Sequence, residues 1–281
     1  MTKLPFPTES AEEVFRICVS SYRDDKLREN LMLVSPEIKR ASEEYEDSAR
    51  KGEISKIPVQ EALSSNIGVE EMETVYASKF AAIRGPGRKY YDARMAAAPG
   101  GVCPLCGVQI VSTLDHYLPK SKYPALAVTP SNLIPSCYDC NFGKGRTNPS
   151  TEEEVPLNPY FDNCDEEVWL KVQFSLVDRE FIPNYIVVKP DQWTNLLFHR
   201  TQFHVKLYNL QKLYAVHAVD EISNCKFRWK NVLQNCGIKG LQNYLIEDCQ
   251  SRENVSLNSW QSALYRGLVE NIDLLNSWLT A

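Results

Sequence analysis

Two Cys-x-x-Cys pairs, separated by 30 residues, constrain the fold of this 281-residue chain more than any other feature of its sequence. The pairs are Cys103-Pro-Leu-Cys106 and Cys137-Tyr-Asp-Cys140. Two residues between the cysteines allow both thiolates of a pair to point toward one ion, and two pairs complete the tetrahedral coordination that zinc prefers. Because protein ligands fill all four positions, no place is left for a reacting water molecule. The pattern therefore predicts a structural zinc site.

The rest of the composition indicates a folded protein of a reducing compartment. Hydrophobic residues make up 43% of the chain and charged residues 24%, as in soluble domains. The N-terminal sequence has no apolar signal-peptide core, and no stretch approaches the ~18 consecutive apolar residues of a membrane helix. We therefore expect a cytoplasmic protein without membrane contact, in which a disulfide framework is not favoured. The five other cysteines are expected to be buried thiols: Cys18, Cys164, Cys225, Cys236 and Cys249.

Charge is unevenly distributed along the chain, although the formal net charge is only −5. Residues 1–78 carry a net charge of −6, residues 79–148 of +6 and residues 149–281 of −5. A basic segment between two acidic ones indicates a face that contacts an anion, and a chance fluctuation is the alternative. The candidate phosphate contacts in this segment are Arg88, Lys89, Lys120, Lys122, Lys144 and Arg146.

The insert between the two cysteine pairs is predicted to run in the order strand, loop, strand, helix. Residues 109–114 are β-branched and partly alternating, which predicts a strand, and Asp115 and His116 follow it directly. A loop with two prolines leads to a short second strand at residues 125–128. A helix is predicted from Ser136, whose side chain is suited to cap it.

In this order, the residues resemble the HNH (ββα-metal) nuclease family. The similarity covers about 45 residues, from the first cysteine pair to the glycine-rich end of the predicted helix. The residues that carry it are Cys103-x-x-Cys106-Gly, Asp115-His116-Tyr-Leu-Pro-Lys-Ser, Asn132-Leu-Ile-Pro-Ser-Cys137-x-x-Cys140-Asn141 and Lys144-Gly. Each part is common on its own, and their combination between two zinc-type pairs is specific.

The resemblance implies a role for four residues. His116 matches the general base that deprotonates the attacking water, and Asp115 matches a ligand of the catalytic metal. Asn141 stands where the family has a final His or Asn ligand, and a helix-capping amide is the alternative for it. Asn132 matches the central Asn that orders the loop and orients the base. An amide oxygen in place of an imidazole favours Mg²⁺ or Mn²⁺ over Zn²⁺ at the catalytic site.

The resemblance predicts a metal-dependent endonuclease that hydrolyses phosphodiester bonds in DNA. The chemistry needs a base for the water and a hard cation at the leaving oxygen, and an imidazole beside oxygen ligands supplies both. Two alternatives remain open at this point. The same chemistry could act on RNA, for instance a transfer RNA. The chain could also be a zinc-stabilised adaptor that binds nucleic acid or protein while its nuclease centre is idle.

A second resemblance lies after the insert. The segment Leu157-Asn-Pro-Tyr-Phe-Asp162, followed by Trp169, is similar to stand-alone HNH nucleases of bacterial anti-phage systems, above all to the nuclease subunit of Septu-type systems, some of which are attached to retrons. That similarity implies an ATPase partner protein. The sequence has no phosphate-binding loop, so the chain is not expected to be an ATPase itself.

The sequence as a whole predicts an α+β protein that is mostly helical, with a central zinc-stapled ββα-metal module and a small β-hairpin after it. The expected regions are a helical one at 1–98, the HNH module with zinc at 99–150, and a hairpin plus helices at 151–281. The hairpin strands are predicted at 168–177 and 181–188. Helices are predicted at 10–33, 36–51, 58–66, 69–82, 86–98, 191–210, 212–234, 240–252 and 256–279.

Overall fold

The computed structural model describes residues 1–145 and 149–281. The fold is α+β and mostly helical, as predicted, with three small two-stranded sheets in this described part of the chain. The chain forms two compact units, Thr2–Asp162 and Asn163–Ala281, and Met1 belongs to the second.

The first unit begins with three helices, α1 (Ala11–Ser20), α2 (Asp25–Leu33) and α3 (Ser35–Lys51). The helix predicted over 10–33 is therefore two helices. The reason is Asp24, whose carboxylate accepts the backbone N–H of Leu27 at 3.0 Å and so starts a new helix.

A short hairpin follows, with strands β1 (Ala62–Ser64) and β2 (Ile67–Gly68). The helix predicted over 58–66 is thus wrong. The hydroxyl of Ser64 accepts the backbone N–H of Asn66 at 3.3 Å, a local bond that favours a turn over a helix. The chain then continues through α4 (Val69–Thr74), a π-helical turn (Val75–Phe80) and α5 (Arg88–Ala96).

The insert between the cysteine pairs has the predicted order of strand, loop, strand and helix, with different strand positions. Strand β3 (Thr113–His116) pairs antiparallel with β4 (Leu133–Ser136), and α6 (Tyr138–Lys144) follows. The predicted second strand at 125–128 is wrong. Pro124 starts a 3₁₀ turn there, because its fixed φ angle suits a helical start and it has no N–H for a ladder.

The helices and the insert share one hydrophobic core. Leu114 of β3 and Leu133 of β4 are buried together with the apolar faces of α1, α2 and α3, as are Ala125, Ala127 and Val128 of the intervening loop. The sequence predicts boundaries after residues 98 and 150, whereas the structure keeps both regions in one unit. The insert is too small to bury its own apolar side chains, so the N-terminal helices complete its core.

The second unit combines a hairpin with four helices within the described residues. Strands β5 (Leu170–Val177) and β6 (Glu180–Val187) pair antiparallel and confirm the predicted hairpin. Asp178 and Arg179 form its turn with φ angles of 49° and 68°, as a two-residue type I′ turn requires. The helices are α7 (Asn195–Leu207), α8 (Leu210–Glu253), α9 (Trp260–Glu270) and α10 (Ile272–Thr280).

The helices predicted at 212–234 and 240–252 are confirmed, because α8 consists of two helical segments that meet at a kink at Gly237, whose φ of 67° and ψ of −176° are not helical. Cys236 beside it is exposed and Cys225 half-buried, so these two thiols are not core residues. Nowhere in the described part of the chain does a helix combine the length and the apolarity that crossing a membrane demands.

Candidate active site

The four paired cysteines form a buried cluster. Their sulfur atoms all lie within 4.8 Å of one another, and Sγ of Cys106 is 4.0 Å from Sγ of Cys137. Four thiolates at ~2.3 Å from a tetrahedral zinc ion are separated by about 3.8 Å, so the cluster needs only a small contraction to bind the ion. The donor set and its geometry fit the predicted structural zinc site.

The first pair lies on a tight turn. The backbone N–H of Gly107 bonds to the carbonyl of Cys103 at 2.8 Å, and the N–H of Cys103 bonds to the carbonyl of Gln109 at 2.7 Å. Gly107 has a φ of 66°, a conformation that favours glycine. The N–H of Gln109 also points to Sγ of Cys106 at 3.5 Å. The turn therefore aims both sulfur atoms inward.

The second pair begins α6. Cys137 is the N-cap residue, and its sulfur accepts the backbone N–H of Cys140 at 3.4 Å. Hydrogen bonding among the four thiols lowers the pKa of Cys137 and Cys106 and raises the pKa of Cys103 and Cys140. Metal binding requires all four thiolates, so a bound cation would have to supply the charge that stabilises the thiolates of Cys103 and Cys140.

Asp115 and His116 lie at the end of β3, opposite Ile134 and Leu133 of β4. Both line a cavity of about 290 Å³. The structure brings three of the four predicted catalytic residues to this cavity, and its polar lining includes Glu73, Asp115, His116, Lys120 and Asn141. The cavity belongs entirely to the first unit.

The imidazole of His116 is fixed by the backbone. Its Nε2 lies 2.8 Å from the carbonyl oxygen of Ala127, which accepts only, so Nε2 carries the hydrogen and Nδ1 is the proton-accepting nitrogen. Burial lowers the pKa of His116 to about 3, and the hydrogen bond to Ala127 opposes this shift only in part. The ring is therefore neutral at pH 7 and Nδ1 can accept a proton, but a pKa this far below 7 also makes it a weaker base than a free imidazole.

Asp115 is buried, with one of its two oxygens occupied. Its Oδ1 accepts a hydrogen bond from Nζ of Lys144 at 3.0 Å, while its buried Oδ2 has no hydrogen-bond partner among the described residues. Burial raises the pKa of Asp115, and the positive charge of Lys144 opposes that shift. An orphaned, buried carboxylate oxygen in a cavity wall is suited to bind a hard cation such as Mg²⁺ or Mn²⁺.

Asn141 faces the same cavity from α6. Its Nδ2 donates to the hydroxyl of Thr113 at 3.3 Å, which leaves the amide oxygen as the group suited to a cation. The residue lies inside α6 (Tyr138–Lys144) and not at the end of the helix. The helix-capping alternative therefore has no support in the structure.

Asn132 does not line the cavity but orders the loop beside it. Its side chain is fully buried and makes three hydrogen bonds to the backbone. The Oδ1 atom accepts the N–H of Leu118 at 2.8 Å, and Nδ2 donates to the carbonyls of Leu118 and Leu126 at 3.0 and 3.2 Å. These bonds fix the loop that carries Ala127, the partner of His116.

Replacing Asn132 with alanine should destabilise the first unit by on the order of 3 kcal/mol or more. The change removes the partners of the buried N–H and carbonyl of Leu118, and each such group costs about 1–3 kcal/mol. The carbonyl of Leu126 loses one donor but still accepts the N–H of Thr129 at 3.3 Å. Urea unfolding followed by circular dichroism measures the loss. The exposed Asn66 provides the matched control, because Asn66→Ala removes no buried hydrogen bond. Equal unfolding midpoints for the two variants would contradict this role of Asn132.

The predicted phosphate contacts differ in their availability. Lys89 is exposed and Lys122 is half-buried, whereas Lys120 pairs with Glu73 at 3.0 Å. Arg146 lies outside the described residues. The two remaining predicted contacts both have partners within the protein.

Arg88 and Lys144 are engaged within the protein. Arg88 bonds to Asp92 at 2.8 Å and to the carbonyl of Ala81 at 2.7 Å. Lys144 has a side-chain exposure of only 3%, so the structure places its ammonium against Asp115 and not on the surface where a phosphate would approach. The basic face is thus smaller than the charge of the segment suggests.

Two residues that line the cavity come from the N-terminal helical region, and the motif in the insert does not include them. Glu73 lies on α4, and Tyr76 lies on the π-helical turn after it. The Tyr76 ring meets the His116 ring edge-on, with centroids 4.5 Å apart. Both residues precede the cysteine insert by about 30 positions, so no local motif could have identified them. Interruptions of the π-helical kind often occur at functional sites.

Comparisons with known proteins give two matches to report. The chain is similar to Protein ea31 of Escherichia phage lambda, with 28% identity over 233 residues that cover 79% of this chain and 78% of that protein. It is also similar to Septu protein PtuB of Bacillus thuringiensis, with 33% identity over 87 residues. The second match covers 29% of this chain and about a third, 33%, of that protein. No protein-family model matches. No solved structure matches either.

Proposed function

We propose that this chain is a metal-dependent endonuclease of the HNH type that hydrolyses phosphodiester bonds in DNA. One observation carries the proposal. His116, with its proton-accepting Nδ1 set by the bond to Ala127, stands next to Asp115, whose buried Oδ2 has no hydrogen-bond partner among the described residues. A base beside an oxygen ligand in one cavity is the minimum that metal-assisted hydrolysis requires.

The proposal gives each residue of the site one role in the reaction. His116 takes the proton of the attacking water on Nδ1, while Ala127 holds the ring in that tautomer. Asp115, through Oδ2, and Asn141, through its amide oxygen, would hold the divalent cation. When bound, such a cation supplies positive charge for the departing oxygen of the phosphodiester. Of the predicted phosphate contacts, the exposed Lys89 and the half-buried Lys122 are the ones proposed to contact phosphates outside the cavity.

The proposed biological setting is anti-phage defence. The similarity to Septu protein PtuB supports it, although that similarity covers 29% of this chain. In this setting the chain acts as the nuclease subunit beside an ATPase partner protein. Phage plating on cells that express the chain together with an ATPase gene encoded next to it tests the setting. Protection that survives the loss of either gene would contradict it.

The activity itself is tested with purified protein and two polymers. Supercoiled plasmid should become nicked or linear in the presence of Mn²⁺ or Mg²⁺, while a structured RNA incubated in parallel should remain intact. Cleavage of the RNA alone would favour the RNA alternative. Binding of DNA without cleavage under every divalent metal would favour the idle adaptor.

Replacing Asp115 with asparagine should reduce plasmid cleavage by a factor of at least about 10². The amide keeps an oxygen for Lys144 but removes the charge that holds a divalent cation. Alanine would be a poorer choice, because it also removes the oxygen that accepts a hydrogen bond from Lys144 and leaves space beside that buried ammonium. Gel assays measure the loss, and Asp139→Asn, an exposed change on α6, is the control. Wild-type cleavage by Asp115→Asn would show that Asp115 is not a metal ligand.

A further inference from the structure

Lys144 is a buried cation directly behind the candidate catalytic pair. Its Nζ lies 3.0 Å from Oδ1 of Asp115 and 2.6 Å from the carbonyl oxygen of His116. The side chains of Lys144 and Asp115 are each only 3% exposed. A buried ammonium is costly unless it is paired and hydrogen-bonded, so these two contacts fix its position and that of the carboxylate it meets.

The position of Lys144 on α6 connects it to the cysteine cluster. Cys140 lies one helical turn before Lys144, with Asn141 between them on the same helix. Asn141 contacts β3 through Thr113, and Lys144 contacts it through Asp115. A helix fixed at its start by the cysteines thus contacts the catalytic strand at two points.

We infer that Lys144 is a positioning residue for metal-assisted cleavage and not a phosphate contact. It occupies Oδ1 of Asp115, so that the carboxylate presents Oδ2 alone to the divalent cation, and its own charge keeps that cation from being bound too tightly. This inference rests on the proposed nuclease function. Binding through a single carboxylate oxygen suits Mg²⁺, which keeps several of its positions for water and substrate oxygens.

If Lys144 is a positioning residue, its loss should affect metal binding and cleavage differently. Without Lys144, Asp115 is free to bind a cation with both oxygens and without the opposing charge, so metal binding should be equal or tighter at a pH where the carboxylate is ionised. Cleavage should nevertheless slow, because the carboxylate no longer holds a single orientation. A residue needed only for stability would weaken both metal binding and cleavage.

The test replaces Lys144 with methionine, which has a similar length and no charge. Titration with Mn²⁺ in the absence of DNA, followed by electron paramagnetic resonance, should show binding at least as tight as in the wild type. Single-turnover cleavage at saturating Mn²⁺ should fall by about 10-fold or more. Weaker Mn²⁺ binding, or cleavage at the wild-type rate, would overturn the inference. If the wild type does not cleave either, the nuclease proposal fails and the Mn²⁺ titration still decides the role of Lys144.

The salt dependence of DNA binding distinguishes positioning from phosphate contact. Removing one phosphate contact reduces the slope of log affinity against log salt by roughly 0.9. Lys144→Met should leave that slope unchanged in buffer without added divalent metal. The comparison variant is Lys122→Met, which should reduce it. A reduced slope for Lys144→Met would show that the ammonium reaches the DNA backbone after all.

A double variant covers the case in which Lys144→Met does not fold. The single change leaves Asp115 buried without its partner, and its melting temperature should fall by roughly 5–10 °C. Adding Asp115→Asn removes the unpaired charge, so the double variant should melt closer to the wild type than the single variant does. A double variant that melts below the single one would contradict the pairing on which the inference depends.

Discussion

Plasmid cleavage should fall by a factor on the order of 10²–10⁴ when His116 is replaced with alanine, the range that a general base contributes to catalysis. The reason lies in the position of the ring. Its Nε2 is bound to the carbonyl of Ala127, so Nδ1 accepts protons, and no other histidine lines the cavity among the described residues. Single-turnover assays on supercoiled plasmid at saturating Mn²⁺ measure the change.

The fold and the metal content should survive the same substitution. His116 makes one hydrogen bond to the backbone and one ring contact with Tyr76, so its loss should cost only about 1–2 kcal/mol. Zinc content and circular dichroism should match the wild type. The control is His217→Ala, a histidine on α8 that packs against Trp260 in the second unit. If both variants cut plasmid as fast as the wild type, His116 is not the base and the assignment to the HNH type fails.

The candidate site could be predicted largely because its signals are local. The two cysteine pairs and the adjacent residues Asp115 and His116 need only short-range geometry, and the structure brings the four sulfur atoms together and places both other residues at the cavity. Contacts over longer separations could not be predicted. Lys144 meets Asp115 across 29 positions, and a charged residue at a helix end looks the same in sequence whether it contacts solvent, phosphate or a buried carboxylate.

The strand positions show a second limit of local patterns. The order of strand, loop, strand and helix follows from the sequence, but β4 is Leu133–Ser136 and not the apolar segment at 125–128. Both segments are short and apolar, and periodicity does not distinguish them. The register with β3 selects the later one, because Thr113 then lies opposite Ser136, immediately before the second cysteine pair.

Local patterns also do not predict that the insert and the N-terminal helices form one compact unit. Leu114 and Leu133 look like core residues of a small zinc module, yet they are buried against the N-terminal helices. Which elements bury each other depends on which surfaces pack together, and this cannot be predicted from the local composition of the chain. Its consequence for function is that Glu73 and Tyr76 become walls of the cavity. The acidic N-terminal region is therefore part of the site, although its net charge of −6 is unfavourable to DNA.

Replacing Cys137 with serine should release the zinc ion and unfold the insert. The hydroxyl is a poor zinc ligand, and binding of structural zinc supplies on the order of 10 kcal/mol of folding free energy in small zinc domains. The change also weakens the start of α6, because Sγ of Cys137 accepts the N–H of Cys140. Plasmid cleavage should be lost with the zinc, since α6 carries Asn141 and Lys144.

Three measurements on purified protein check this expectation: zinc content by mass spectrometry, melting by circular dichroism, and plasmid cleavage. Cys236→Ser is the matched control, because Cys236 is an exposed thiol in the second unit and should leave all three unchanged. The shared core makes a further consequence measurable. Since Leu114 and Leu133 are buried against the N-terminal helices, loss of zinc should lower the melting temperature of the whole first unit and not of the insert alone. A Cys137→Ser protein that keeps one equivalent of zinc and melts like the control would show that the cluster does not hold this fold together.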